Sequence, residues 1–334
     1  MKNKAITIKQ FKDLKPDRIL AAVESQGFRC DGTLLPLNSF ENRVYQVGIE
    51  EETPLVVKFY RPGRWPRRAI REEHAFMQEL NQQGLRLAHP LADIRGNTLH
   101  RLGHISFALM PRLRGRNPDM EDPVILERIG ITLGKVHAVG GRRRFEHRPT
   151  LDVKHVGTRA CREIDASGLL PKPLRKEFQL LTNRVRFAIR KGYERVGKVP
   201  LIRLHGDCHP GNILLDGPVV QFMDFDDCGT GPAIQDLWTL MPDDAALQGQ
   251  TLSHLLKGYT REYPFNREEL HLVEPLRTLR MLHHAAWVVQ HWGDPAFPKA
   301  FPHMTEVSHW ENYLVALEGQ LARLTLHPDA VIAL

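Results

Sequence analysis

The sequence predicts an α+β protein with a small β-rich N-terminal part, residues 1–112, and a larger, mainly helical part, residues 113–334. Short apolar or alternating runs bounded by turn residues fill the first part, with one helical segment among them. Beyond residue 112, apolar residues recur mostly at helical spacing. A length of 334 residues, at roughly 150 residues per domain, also favours two compact parts.

The N-terminal part contains strand-like runs and one amphipathic helix. The helix is predicted between Arg67 and Leu80, where apolar residues share one helical face, and it stops near Gly84. Proline or Pro-Gly ends two of the strand-like runs, since proline cannot donate to a sheet ladder. These strands are predicted at Arg43–Ile49, Leu55–Tyr60 and Ile105–Met110.

The C-terminal part is predicted to be helical apart from one β-hairpin. The hairpin joins two short runs, Ile213–Leu215 and Val219–Met223, around the turn signal Asp216-Gly217. The helices are predicted from their apolar spacing at Pro123–His137, Arg175–Arg190, Gln248–Tyr263, Glu274–Trp292 and Thr305–Leu324.

Composition excludes several classes of protein. A hydrophobic fraction of 42% is too high for a disordered chain, and four scattered cysteines without a CxxC pair exclude a disulfide framework or zinc ribbon. The N-terminal residues 1–16 show no apolar core of a secretory signal, and no run is long enough to cross a bilayer. We therefore expect a cytoplasmic protein. Its net charge of +7 favours an anionic partner without choosing one.

One ordered set of polar residues indicates phosphoryl transfer. Asp207 follows His205 by two positions and precedes Asn212 by five, which matches the H-x-D-x-x-x-x-N arrangement of kinase catalytic loops. Asp224 comes twelve residues after Asn212, beyond the predicted hairpin, where a metal-binding Asp-Phe pair would lie. Phosphoryl transfer needs a carboxylate for the acceptor hydroxyl and hard oxygen ligands for Mg²⁺. The hairpin would bring Asn212 and Asp224 to one ion.

These motifs resemble the aminoglycoside phosphotransferase and choline kinase-like superfamily, whose signature is HGDxHPGN followed by an Asp-Phe pair. Within it, the chain is similar to the bacterial stress response kinase A group over about residues 8–325. The segments that carry the closer resemblance are NSFENRVYQV from Asn38, KFYRPGRW from Lys58, EEHAFMQEL from Glu72, HGDCHPGNIL from His205 and DFDD from Asp224. The resemblance implies a two-lobed protein-kinase-like fold that uses ATP and Mg²⁺.

The resemblance also implies roles for residues of the N-terminal part. Lys58 would hold the α- and β-phosphates, and Glu73 would pair with it, with Glu72 as the alternative. The loop between the first two strands lacks a Gly-rich motif, so Ser39 would contact phosphate in its place, although a plain turn residue is the other interpretation. Met110, at the start of the hinge to Leu113, would face adenine with its backbone.

In the C-terminal part, Asp207 would act as base or hydroxyl orienter, and Asn212 and Asp224 would bind the metal. Gly206 stands where protein kinases carry an arginine, so phosphorylation of an activation loop is not expected to switch the enzyme on. Asp226 and Asp227 follow the Asp-Phe pair and are interpreted as solvated loop carboxylates, or else as help for a second metal or a basic substrate. No APE-like segment follows.

Several further residues receive structural interpretations. Asp236 is expected to be a structural aspartate ahead of a helix rather than a catalytic one. Cys208 and Cys228 are expected to be small buried residues, although a redox role stays open without their exposure. The remaining features are the Arg-rich segments 61–68 and 141–144, expected to be solvated unless they hold an anionic partner, and the His283, Trp287 and His291 face, expected to be buried rather than metal-binding.

We therefore expect an ATP- and Mg²⁺-dependent kinase of the bacterial stress response that phosphorylates serine or threonine on proteins, itself included. We expect a monomer with neither nucleic acid nor membrane as a partner. One alternative is a small-molecule kinase acting on an aminoglycoside, choline, homoserine or sugar-like alcohol. The other is a nucleotide-binding pseudokinase, against which the intact Asp207, Asn212 and Asp224 argue.

Overall fold

The computed structural model describes residue 11 and residues 14–325. Within that part the chain forms two compact units. The first comprises residues up to Asp119 together with Phe145–Arg148 and His209–Cys228, and the second comprises Met120–Arg144, Pro149–Cys208 and the residues from Gly229. The residues before 11, on which the absence of a leader was argued, lie outside the described part.

Helices and strands are named in chain order. The helices are α1 (Pro16–Glu24), α2 (Arg67–Gln82), α3 (Pro123–Gly140), α4 (Thr158–Ala166), α5 (Arg175–Val196), α6 (Ile234–Trp238), α7 (Ala245–Tyr259), α8 (Val273–Gln290), α9 (Ala296–Ala300) and α10 (Val307–Thr325). The strands are β1 (Cys30–Leu37), β2 (Arg43–Ile49), β3 (Leu55–Phe59), β4 (Arg86–Leu87), β5 (His100–Leu102), β6 (Ile105–Pro111), β7 (Ile202–Leu204), β8 (Ile213–Asp216), β9 (Val219–Phe222) and β10 (Gly229–Gly231).

The first unit is built on an antiparallel sheet with strand order β1-β2-β3-β6-β5. Successive side chains of a strand point to opposite faces. On β3, Val57 and Phe59 join an apolar core that includes residues of α1. The residues between and after them, Lys58 and Tyr60, therefore lie on the other face, where Tyr60 packs with Ile70 of α2.

A second small sheet holds the hairpin in the first unit. Strand β9 pairs antiparallel with β8 and parallel with β4. The pairing of Asp216 with Val219 leaves the two-residue loop Gly217-Pro218, and Gly217 has φ 56°, a left-handed conformation that glycine adopts without steric cost. Because of these pairings, residues 209–228 pack in the first unit although they lie far beyond residue 112.

The second unit is mainly helical and packs helices very closely. A Cβ atom on Gly130 of α3 would lie 2.0 Å from the carbonyl oxygen of Leu255 on α7, and one on Gly258 of α7 would lie 2.0 Å from that of Glu127. Both helices thus need glycine where their backbones meet. The main apolar core gathers buried residues of α4, α5, α8 and α10, including Trp310.

The predicted α+β class is confirmed, and each predicted helix and strand is present; β2 has the predicted bounds, and the others have shifted ends. Helix α5 extends past Arg190 until Gly197 takes φ 69°. Helix α7 begins earlier than predicted because the Asp244 carboxylate accepts from the Ala246 N–H as an N-cap. Among the described residues, no helix is both long and apolar enough to cross a membrane.

Candidate active site

Lys58 is the centre of a buried ion cluster in the first unit. It lies on β3 with its side chain 6% exposed, and its Nζ is 2.9 Å from Oδ1 of Asp224 and 3.1 Å from Oδ1 of Asp226. Burial by itself would lower the pKa of the lysine, but the neighbouring carboxylates outweigh it and raise that pKa well above its usual value. Lys58 is therefore a fixed positive charge.

Asp226 is buried, which corrects the interpretation of this residue as a solvated loop carboxylate. Burial would raise its pKa, yet Arg64 and Lys58 hold that pKa below its usual range. Arg64 binds Asp226 through Nη1 and lies 2.6 Å from Oδ1 of Asp227 through Nη2. A carboxylate can be buried at this position because two cations replace its hydration.

The Arg-rich segment 61–68 is accordingly only partly the solvated surface that was expected, since Arg68 is exposed but Arg61 and Arg64 are not. Arg61 is buried and donates to the backbone oxygens of Phe40 and Glu41. Arg64 lies against the Trp65 ring, with its guanidinium carbon 5.6 Å from the ring centroid. The prediction was wrong because charge counts along the chain do not show that acidic residues more than a hundred positions away pack against the segment.

Glu73 does not pair with Lys58 in this structure, contrary to the predicted arrangement. It is fully buried on α2, and its ion pair is with Arg148. Burial raises the pKa of Glu73 to about 7 even though Arg148 opposes the shift. Lys58 has the carboxylates of Asp224 and Asp226 instead, so both members of the predicted pair are neutralised by other partners.

Glu72, the alternative to Glu73, has a different role. Its carboxylate accepts hydrogen bonds from the backbone N–H groups of Glu146 and His147 at 2.8 Å and of Arg148 at 3.1 Å. Glu72, Glu146 and His147 also form the one group of three metal-ligand types found among the described residues. The backbone donors already account for the position of the Glu72 carboxylate, so we assign no metal to it.

The hairpin places Asn212 and Asp224 near one another, as the sequence argument required. Ile213 pairs with Phe222, and the Met223 N–H donates to the Asn212 carbonyl at 3.0 Å. Asp224 follows with φ 59°, a left-handed conformation uncommon outside glycine. An amide and a half-exposed carboxylate of this kind are oxygen donors that suit Mg²⁺, so the residues present fit the expected metal.

Ser39 and Met110 occupy ordinary structural positions that neither support nor exclude the expected roles. The Ser39 hydroxyl accepts from the Asn42 N–H at 3.2 Å, as in a turn. Met110 is buried on β6 opposite Val56, on the same face of the sheet as Lys58. Strand β6 continues to Pro111, one residue further than predicted. Their contacts with nucleotide stay predictions.

Asp207 lies in the second unit, just after β7, on a backbone held by Asp236. The Asp236 carboxylate is fully buried and accepts from the N–H groups of His205 at 2.7 Å and Gly206 at 2.9 Å, and it also contacts His137. The predicted structural role of Asp236 is therefore confirmed. Gly206 has φ 87°, a conformation that an arginine side chain would adopt only with strain.

Asp207 also has a cationic partner that the sequence did not reveal. Nη1 of Arg280 on α8 lies 2.8 Å from Oδ1 of Asp207. The two residues are 73 positions apart (280 − 207), and nothing in the local pattern around Arg280 distinguishes it from an ordinary helix-surface arginine. Only the packing of α8 in the second unit brings them together.

The remaining candidates are structural. Cys208 and Cys228 are both fully buried, and burial raises the pKa of Cys228 to about 12 and that of Cys208 well above its usual value, so neither thiol is a ready nucleophile. On α8, the Trp287 ring packs against His291 and Phe297, and a nitrogen of His291 hydrogen-bonds to the Trp287 carbonyl. Trp287 and His291 thus belong to an aromatic cluster, but both are only partly buried and His283 is exposed, so the prediction of a buried face was wrong for His283.

A buried strand lysine with acidic partners, and a catalytic-loop sequence that leads into an Asn–Asp hairpin, define a phosphotransferase. The chain belongs to the phosphotransferase enzyme family, whose model matches residues 33–273. The predicted family and enzyme class are therefore confirmed, and the protein is a kinase.

Two curated relatives match almost the whole chain. The chain is 40% identical over 311 residues to "Stress response kinase A" of Shigella flexneri, covering 93% of this chain and 92% of that protein. It is 39% identical over 303 residues to "Serine/threonine protein kinase RdoA" of Salmonella typhimurium strain LT2, covering 90% of this chain and 91% of that one. The predicted resemblance to the stress response kinase A group is confirmed.

A solved structure supports the fold. The amicoumacin kinase hAmiN, in complex with AMP-PNP, Ca²⁺ and Ami, matches with a TM-score of 0.72 at 17% identity, and the match covers 92% of this chain and 94% of that one. At that identity the likeness concerns the fold alone. The predicted protein-kinase-like fold, with a β-sheet N-terminal unit and a helical C-terminal one, is confirmed.

Proposed function

We propose that the protein is an ATP- and Mg²⁺-dependent kinase that phosphorylates serine or threonine on proteins, including itself. The observation that carries the proposal is the cluster in the first unit, where Lys58 binds Asp224 beside the Asn212 hairpin. A positioned ammonium and two oxygen donors are what a metal–triphosphate complex requires. The serine/threonine acceptor is supported by the name of the Salmonella relative.

Each residue of the first unit has a defined task in this proposal. Lys58 contacts the α- and β-phosphates, and Ser39 and the backbone at Met110 contact phosphate and adenine. Asn212 and Asp224 would hold Mg²⁺, which supplies neutralisation of the phosphate charge. Glu73 acts on the nucleotide through the charge balance around Lys58, since the pKa of Lys58 responds to its carboxylate.

In the second unit, Asp207 accepts or orients the proton of the acceptor hydroxyl. Asp236 fixes the backbone immediately before it with two N–H···O bonds, so the carboxylate is presented from a rigid turn. Asp207 is partly exposed, with 28% of its side chain accessible, which lets an acceptor reach it. The protein would act as a monomer in the cytoplasm.

A small-molecule acceptor is the second candidate, and one observation favours it. Only the short strand β10 lies between the Asp224 turn and α6, so the chain has no long segment there on which a peptide could lie. Protein kinases place their peptide platform in that stretch.

Radiolabelled ATP tests the proposal directly. The purified protein is incubated with Mg²⁺ and label alone, with acidic and basic generic proteins, and with an alcohol panel that contains aminoglycosides, choline and homoserine. Label on protein that is lost in Asp207→Asn supports the protein kinase. Label only on an alcohol would overturn it in favour of the second candidate. ATP binding without any transfer would indicate a pseudokinase.

A further inference from the structure

Arg280 contacts the residue that the proposed function makes the base. Its guanidinium Nη1 lies 2.8 Å from Oδ1 of Asp207, and 42% of its side chain is exposed. Among the described residues, Asp207 is the acidic residue with which Arg280 forms an ion pair. A guanidinium has five N–H donors in a planar fork, so one ion pair leaves donors on this exposed side chain for a molecule that approaches Asp207.

Two imidazole side chains lie beside Arg280 on the surface of α8. His283 and His284 lie three and four residues further on, hence on the same helix face, and both are exposed. Burial and the charge of Arg280 lower the pKa of His284. One turn earlier, Arg277 is held by Glu274 at 2.6 Å and by the Trp238 ring, so it is directed elsewhere.

A cation beside the base selects among acceptors by charge. An acceptor that carries an ammonium next to its hydroxyl would be repelled by Arg280, whereas a carboxylate or phosphate in that place can take a charge-assisted hydrogen bond from it. Choline and aminoglycosides are acceptors of the first kind. The exposed donors of Arg280 fit acceptors of the second kind.

We infer that Arg280 is an acceptor-recognition residue, and that the acceptors are serine or threonine residues flanked by acidic side chains. The inference rests on the proposed function, because it specifies which hydroxyls the kinase uses. Arg280 releases part of its hold on Asp207 as the acceptor carboxylate engages the guanidinium, so the same contact that recognises the substrate exposes the base to the hydroxyl.

Peptide kinetics separate this role from a merely structural one. Three peptides differ only at the residues that flank one serine, which are Asp/Glu, Asn/Gln or Lys, and kcat and KM are measured for each. We expect the wild-type protein to favour the acidic peptide over the amide peptide by about tenfold in kcat/KM, which corresponds to about 1.4 kcal/mol. The lysine peptide should be the poorest, and added salt should reduce the preference.

Substitutions of Arg280 test whether this residue causes the preference for the acidic peptide. Arg280→Gln should bring the acidic-to-amide ratio to about one through KM, and Arg280→Glu should invert it, while Arg280→Lys keeps part of it. Arg190→Gln is the matched control, since this exposed arginine of the same unit lies over the Phe187 ring, interacts with Glu194, and should leave the ratio unchanged. Ratios measured within one variant cancel any general loss of activity or folded protein.

The possible outcomes distinguish failure of the recognition role of Arg280 from failure of the proposed function. Equal rates on all three peptides in the wild type, or an unchanged ratio in Arg280→Gln with a uniform fall in kcat, would overturn the recognition role and leave the protein kinase standing. Transfer to alcohols with none to peptides or protein would overturn both the proposed function and this inference.

Discussion

The strongest test of the site geometry is the ion pair between Arg64 and Asp226. Asp226 is 3% exposed and has two cationic partners, Arg64 and Lys58. Replacing Arg64 with methionine keeps the aliphatic stem but leaves the buried carboxylate with one partner. Loss of one member of a buried pair costs roughly 3–5 kcal/mol. Because Lys58 remains, we expect the lower end, about 3 kcal/mol.

The measurement is the free energy of unfolding from urea titration, on the wild type and on four variants, which are Arg64→Met, Asp226→Asn, the double variant and Arg68→Met. Arg64→Met should lose about 3 kcal/mol, and Arg64→Met with Asp226→Asn should lose less than the sum of the single variants, because the uncompensated charge is gone. Arg68→Met is the control, since Arg68 is exposed on the same segment and should stay within about 0.5 kcal/mol of the wild type. A loss below about 1 kcal/mol for Arg64→Met, or one equal to that of Arg68→Met, would show that the pair is solvated and refute the reasoning.

Three further outcomes follow from burial and backbone conformation. The folded pKa of Glu73 is raised from 4.5 to about 7, so the folded protein holds a proton there that the unfolded chain has lost, and stability falls as pH rises between those values. Relative to Glu73→Gln, the wild-type free energy of unfolding should therefore drop by about 3 kcal/mol between pH 4 and pH 8 in urea titrations, and a flat difference would contradict the burial of this acid. Cys208 and Cys228 should resist iodoacetamide at pH 8 in native protein and react in urea, as read by mass spectrometry; rapid native labelling would show that the thiols are accessible. Gly206→Ala should cost about 1–2 kcal/mol because of the left-handed backbone there, and a variant as stable as the wild type would rule out that strain.

Much of the first unit could be predicted because its signals are local. A strand, a turn and a strand within ten residues fixed the hairpin around Gly217, and the spacing of Asn212 and Asp224 then placed both at one end of it. The predicted helices and strands were identified from the spacing of their apolar residues. The short strands β4 and β5 lacked such a signal, because two or three residues show no period.

The ion partners could not be predicted, since they depend on how distant segments pack. Lys58 and Glu73 were paired by resemblance to the family, but Glu73 pairs with Arg148, and the turn after Asp224 brings Asp226 to Lys58 instead. Asp226 was interpreted as a solvated loop carboxylate because the sequence of a loop does not show which of its residues are buried. Arg280 was missed for the same reason.

The two consecutive acids of α2 bind the same short segment in two different ways. The Glu72 carboxylate accepts hydrogen bonds from the backbone N–H groups of residues 146–148, and the Glu73 carboxylate accepts one from the Arg148 guanidinium. Amide protons bonded to a carboxylate exchange slowly with solvent deuterium. The amides of Glu146, His147 and Arg148 therefore report the position of α2, and deuterium uptake at these three sites upon nucleotide addition measures whether the helix shifts.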